Sequence, residues 1–373
     1  MEEQGILLKN QTGFTTDEIE TLIEAGGLLS SRLRLEEIVE VLMEQAIFLV
    51  KAEVGVLWLN IWENRGISPV AAYSLDFESV DFLQQQFKIL MDEILLRGTP
   101  QIISRDREEG SHYLLKDTSR ALNMAVNSMV FIPLVGKGRC LGCLQLVNKQ
   151  DGSPFNARDL RLCSAFSGQA AVIIDNSILF ANQEKLVLSL IRALSSALDA
   201  RDPYTRGHSE RVSKLAMEIA RGLGLDYQQQ VVLERAALLH DVGKIGIRDN
   251  VLLEAGPLSE EKWNIMKSHP EIGAQIIEQI EPKSLMDEVC EGVMHHQEKF
   301  DGTGYPLGLS GENIPLVARI ITIADAFDAM TSDRPYRKGK SPREALKEIE
   351  RCAGSHFDPF LVEVFLKVMR ERD

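Results

Sequence analysis

Apolar residues recur at helical spacing through residues 17–51, where TDEIETLIEAGGLLSSR and LRLEEIVEVLMEQAIFLVK read as two helices. The period then shortens. EVGVLWLNIWE is strand-like, ISPVAAYSL follows it, and VDFLQQQFKILMDEILLRG returns to a helical pattern before PQIIS. NSMVFIPLVGKGRCLGCLQLVNK reads as a hairpin turning at Gly136, Lys137 and Gly138. Helix, meander and hairpin together predict an antiparallel sheet with helices on one side.

From Arg158 to about Asp199 no proline or turn cluster interrupts a helical pattern. Phe166, Ile173, Phe180, Val187 and Leu194 are seven apart, and a second seam holds Ala170, Ser177, Glu184, Ile191 and Leu198. One apolar seam and one that is polar in its middle predict a long connecting helix, 158–199, that pairs with a second copy as a homodimer. After Arg201 every segment reads as helix, from GHSERVSKLAMEIARGLG to DPFLVEVFLKVMRE. The whole is an α+β chain with three parts. An antiparallel-sheet domain with flanking helices occupies 17–180, the connecting helix overlaps its end, and an all-α domain fills 200–373.

The balance of 55 acidic against 41 basic residues, a net charge of −14, disfavours broad binding to nucleic acid polymers or anionic membrane. A small anionic ligand stays compatible, because local cations can reverse the sign inside one pocket. The N-terminus lacks a signal-peptide pattern and no uninterrupted apolar run approaches the roughly 20 residues of a span, so a cytoplasmic location is expected. Five cysteines make no disulfide framework, and Cys140 and Cys143 lie three apart on a strand, on opposite faces.

Six of the seven histidines lie after residue 200. His208 shares a helix face with Val212, Leu215 and Ile219, so it points inward; alone it would be a core histidine. His240 and Asp241 end an apolar helix in LLHDVGK, where a buried carboxylate must be paired or metal-bound. His269 stands before Pro270 at a helix start, where capping is the ordinary role. His295 and His296 end VCEGVM, and Asp325 lies in the apolar RIITIADAFDAM. Each has a dull explanation, but a metal cluster explains all of them at once. Nitrogen and oxygen donors without thiolate suit iron or manganese, with zinc or nickel possible.

HDVGK, DGTGYP and IADAFDAMTSDRPYR, with ARDPYTRGHSERV and GENIPLVARI, resemble the HD-GYP branch of the HD-domain metal phosphohydrolases over about residues 190–370. The resemblance implies hydrolysis of cyclic di-GMP. It makes His240, Asp241, His269 and Asp325 metal ligands, with Asp241 bridging, and puts His208 at the first-histidine place. Lys244 matches the lysine that approaches the scissile phosphate, and Arg334 and Arg337 match the basic positions that grip phosphates. Tyr305 is expected to line the pocket or to dock a protein partner. Gln297 separates the histidine pair from Glu298, so both His295 and His296 remain candidates. Tyr204 stands where three-metal members carry glutamate, which favours two divalent ions.

Residues of about 17–180 resemble a GAF domain, a regulatory module that can take a small-molecule ligand. Asn148, Lys149, Phe155 and Asp159 resemble the NKFDE pattern of cyclic-nucleotide-binding GAF domains, with Leu160 in place of the final glutamate. His112 is an isolated candidate for haem ligation. The expected activity is a GAF-regulated, metal-dependent cyclic di-GMP phosphodiesterase yielding the linear dinucleotide, GMP or both. The alternatives are a non-catalytic cyclic di-GMP receptor and an HD phosphohydrolase acting on another cyclic dinucleotide.

Overall fold

The computed structural model describes residues 35–60, 66–105, 111–201, 207–254, 256–333 and 338–372. The expected helix before residue 35, Tyr204, Arg334 and Arg337 lie outside them, as does the side chain of His112. The chain divides into two compact units, Met1–Gln183 and Glu184–Asp373.

In the first unit, α1 (Leu35–Val50) leads into β1 (Ala52–Leu59) and β2 (Ser68–Tyr73). Then follow α2 (Phe77–Arg97), β3 (Gln101–Ser104), α3 (Ser111–Ala121), β4 (Ser128–Gly136) and β5 (Arg139–Lys149). The sheet order is β2-β1-β5-β4-β3, and every pairing is antiparallel. The β4–β5 hairpin turns at Lys137 and Gly138, as the pattern predicts.

The sheet is covered on both faces, which corrects the one-sided expectation. Leu57, Val130, Ile132, Leu144 and Leu146 pack with Leu42, Met43 and Phe166, from α1 and α4 (Ala157–Arg201). Val56, Trp58, Met129, Phe131 and Cys143 pack on the other side with Leu83, Phe87 and Met91 of α2 and Leu115 of α3. The sequence carried this signal. SMVFIPLVG is apolar without alternation, as a strand buried on both faces should be.

The NKFDE-like residues are spent on the fold. Lys149 Nζ lies 3.3 Å from Asp159 Oδ1, whose Oδ2 accepts from Asn156 N at 2.9 Å, tying the end of β5 to the start of α4. Asn148 Oδ1 accepts from Asn127 N at 2.8 Å and its amide donates to Glu53 and Ala125, while Phe155 is core.

α4 is one helix of 45 residues. It also corrects the expected dimer seam. Phe166, Ala170 and Ile173 are buried in the sheet domain, and Ile191 packs on the core of the second unit. Only Phe180, Val187 and Leu194 of the first seam are exposed, at 66%, 43% and 45%. Among the described residues α4 alone is long and apolar enough to cross a membrane by length and composition, and half of that stretch is buried inside the protein.

The second unit continues with α5 (His208–Leu223), α6 (Tyr227–Leu239), a 3₁₀ turn at Val242–Gly246 and the short α7 (Asp249–Leu252). α8 (Glu260–Met266), α9 (His269–Ile277), α10 (Asp287–His295), α11 (Leu316–Thr331), α12 (Pro342–Arg351) and α13 (Pro359–Glu371) complete it. Val212, Ile219, Leu233, Ala236, Val293 and Ile321 are among the residues that close one core. Asp226 caps α6 in a capping box with Gln229, and Pro270 opens α9. Both signals mark helix starts; His269 stands at the start of α9 and His240 just past the end of α6.

Candidate metal centre

Four helix termini converge with the middle of α11. His208 is the first residue of α5, and His240 and Asp241 occupy the turn after α6. His269 is the first residue of α9, and His296 follows the last residue of α10. All five side chains are buried.

Each imidazole is held from behind. Nδ1 of His240, His269 and His296 donates to the carbonyl three residues earlier, on Ala237, Met266 and Val293, at 2.7, 2.8 and 2.7 Å. A carbonyl only accepts, so Nδ1 carries the proton and each Nε2 presents a bare lone pair. His208 Nδ1 lies 2.7 Å from Asp328 Oδ2, and Arg211 donates to both oxygens of Asp328 at 2.6 and 3.0 Å. This carboxylate–histidine pairing fixes the ring and raises its basicity as a ligand.

The four Nε2 atoms face Asp241, and its two oxygens divide them. Oδ2 is 3.4 Å from His240 Nε2 and 3.9 Å from His208 Nε2. Oδ1 is 3.5 Å from His269 Nε2 and 3.9 Å from His296 Nε2. Two groups able to hold a metal therefore share one carboxylate: His208, His240, Asp241 and Asp241, His269, His296. Asp325 Oδ1 stands 3.3 Å from His208 Nε2.

The donor chemistry fits a cation. His269 Nε2 and His296 Nε2 are 3.2 Å apart and both are acceptors, so they repel unless something positive lies between them. Two ligands each about 2.1 Å from one ion would stand about 3 Å apart. His240 Nε2 is a buried polar atom without a hydrogen-bond partner.

Charge favours the same reading. Burial opposes ionisation of Asp241, but Lys244 and the surrounding histidines hold its carboxyl well below the usual range. Burial, with His240 and His269 alongside, pushes His296 down to about 3, and burial also lowers His269. Both stay neutral, as a metal ligand must. His208 is the exception: burial alone would lower it, but Asp325 and Asp328 hold it up to about 10. A metal entering its group must displace that proton. Apparent metal affinity should therefore rise with pH, by about tenfold per unit between about pH 6 and 8 for one displaced proton. Competition against a chromophoric chelator measures this, and a flat profile would contradict it.

His295 is placed differently from its neighbour. Consecutive helical residues diverge by about 100°, and only His296 turns to Asp241. His295 is half-buried with Nδ1 3.9 Å from Glu298 Oε1, outside both groups. Lys244 Nζ reaches Asp241 Oδ2 at 2.5 Å. The Tyr305 ring stands edge-on to His269 and to Trp263, each 6.4 Å between centroids. The DGTGYP turn that carries Tyr305 is built from below. Buried Glu298 accepts from Leu307 N at 2.7 Å, and a Cβ on Gly304 would lie 2.3 Å from Lys299 N.

Sequence reasoning missed Asp328 and Arg211 as supports of His208. The signals were present: Asp328 lies three residues after Asp325 and Arg211 three after His208, one helix face each. Nothing in the sequence joins the two helices.

The HD domain family model matches residues 192–361 and the GAF domain model residues 34–174. A cyclic di-GMP phosphodiesterase of Thermotoga maritima is 38% identical over 192 residues, 52% of this chain and 52% of the relative. The cyclic di-GMP phosphodiesterase response regulator RpfG of Xanthomonas campestris pv. campestris is 37% identical over 214 residues, 57% and 56% of the two chains. The 3'3'-cGAMP-specific phosphodiesterase 3 of Vibrio cholerae serotype O1 is 39% identical over 170 residues, 46% and 36%. The matched part spans about half the length of the first two relatives and less of the third. The two models fall in order on the sheet unit and the helical unit, and the chain thus joins a GAF domain to an HD domain.

Proposed function

We propose that the HD domain is a metal-dependent phosphodiesterase acting on a cyclic dinucleotide, cyclic di-GMP foremost, under control of the GAF domain. The observation that carries this reading is Asp241, with one oxygen turned to each pair of imidazoles. His208, His240 and Asp325 would hold one divalent ion, and His269 and His296 a second, with Asp241 between them. Iron or manganese suits this donor set. Bound there, the two ions supply an activated water and neutralise phosphate charge.

The chain's own residues do the rest. Nδ1 anchors keep the four rings from turning, so the site is ordered before substrate arrives. Lys244, on the rim of Asp241, offers an ammonium to the charge that grows on the phosphoryl oxygens. Tyr305 and the half-exposed Trp263 form an aromatic wall where a base can lie.

Relatives named for cyclic di-GMP support that substrate, and the Vibrio relative named for 3'3'-cGAMP gives a second reading. The test is to incubate metal-replete protein with each and to separate the products by chromatography. Faster loss of cyclic di-GMP supports the first reading and faster loss of 3'3'-cGAMP the second. Tight binding of both without turnover would turn the site into a receptor.

Arg334 and Arg337 belong to the same reading on sequence alone. Neither can ligate a metal as a cation, and each can fork onto phosphate oxygens. Changing both to alanine should leave metal content unchanged and weaken cyclic di-GMP binding, by roughly 1.5–3 kcal/mol for each desolvated contact. Calorimetry decides; wild-type affinity in the double variant would reduce this loop to solvated surface. A homodimer through the exposed stretch around Phe180, Val187 and Leu194 completes the proposal. Sedimentation of a Val187→Glu variant tests it, and an unchanged oligomeric state would remove that interface.

A further inference from the structure

The last residue of α4 is wired to the metal centre. The Arg201 guanidinium donates to the carbonyls of Lys244, Ile245 and Ile247 at 3.1, 2.9 and 2.7 Å, and to Asp249 Oδ1 at 2.7 Å. All four acceptors lie on one short segment, from Lys244 in the 3₁₀ turn through Ile247 to Asp249 at the start of α7. A planar fork can serve several convergent acceptors, which a lysine point charge cannot.

That segment touches the centre twice. The side chain of Lys244 rests on Asp241 Oδ2, so the ammonium and the carbonyl of one residue are both held, one by Asp241 and the other by Arg201. One position earlier, a Cβ on Gly243 would lie 1.9 Å from the His269 carbonyl oxygen, so the segment packs directly on the backbone of one member of the second histidine pair. α4 itself runs unbroken from Ala157, beside the core of the sheet unit, to Arg201.

We propose that Arg201 is a positioning residue for Lys244, the point at which the connecting helix sets where that ammonium stands. The inference rests on Lys244 serving the phosphodiester reaction. The competing role is a cap that merely stabilises the 3₁₀ turn.

A double-mutant cycle of Arg201→Ala and Lys244→Ala separates the two. It is read as kcat, KM and metal content, with amide exchange followed over 242–249. Arg201→Ala should lower kcat by about tenfold to a hundredfold, the scale of a small misplacement, with KM and bound metal little changed. In the Lys244→Ala background the same change should do almost nothing, because the group it positions is gone. Exchange over 242–249 should quicken while the rest of the domain stays protected. Arg201→Lys should not restore kcat, and Asp249→Ala, which removes one of the four acceptors, should move in the same direction by less. Independent, multiplicative losses in the double variant would overturn the inference, as would wild-type kcat in Arg201→Ala. A wild-type protein that turns over no cyclic dinucleotide sinks the phosphodiesterase reading and the role given to Lys244. The clamp has its own signature, and unchanged exchange over 242–249 in Arg201→Ala overturns it whatever the activity.

Discussion

Replacing Asp241 by alanine is expected to abolish turnover and strip the protein of metal. The carboxylate is the one group shared by both imidazole pairs, and it also receives Lys244. Its removal takes away the carboxylate that the Nε2 lone pairs of His240, His269 and His296 and the His208 ring all face, and the contact that Lys244 makes with it. Loss of one stabilising donor at an active site costs about 10²–10³ in kcat; loss of a bridging ligand should cost at least that much. Asp241→Asn keeps the shape and removes the charge, so it should fail in the same way. Metal analysis and turnover on the same preparation check both variants. Metal content and activity near wild type would sink the bridging assignment.

Gly243→Ala should be nearly as damaging, although Gly243 offers no side-chain atom to a metal. A Cβ there would meet the His269 carbonyl oxygen at 1.9 Å and Gly273 N at 2.5 Å, both backbone atoms. The 3₁₀ turn and the start of α9 would have to separate, carrying Lys244 and His269 with them. Overpacking a tight contact costs about 1–3 kcal/mol, and more where backbone must move. The expected result is a lower melting temperature for the helical unit together with loss of bound metal. A variant that melts with the wild type and keeps its metal would show that this contact does not hold the centre together.

The legible parts of the sequence were those governed by local chemistry. LLHDVGK showed a histidine and a carboxylate at the end of an apolar helix, and the hairpin turned where its glycines stood. What stayed hidden depended on which way a residue turned. Phe166 and Ile173 formed a plausible coiled-coil seam with Phe180 and Val187, yet the same helix buries the first two in the sheet domain and exposes the others. His295 and His296 are equivalent as letters, and about 100° of helix rotation decides between them. Asp328 supports His208 across 120 residues, a distance over which spacing says nothing.

The most direct test of the account is metal removal and return. Protein purified without oxygen should carry two ions per chain by elemental analysis and hydrolyse cyclic di-GMP. Chelation should remove both and stop turnover, and iron or manganese should restore it in proportion to occupancy. Turnover that persists in metal-free protein would contradict a hydrolytic centre built on Asp241.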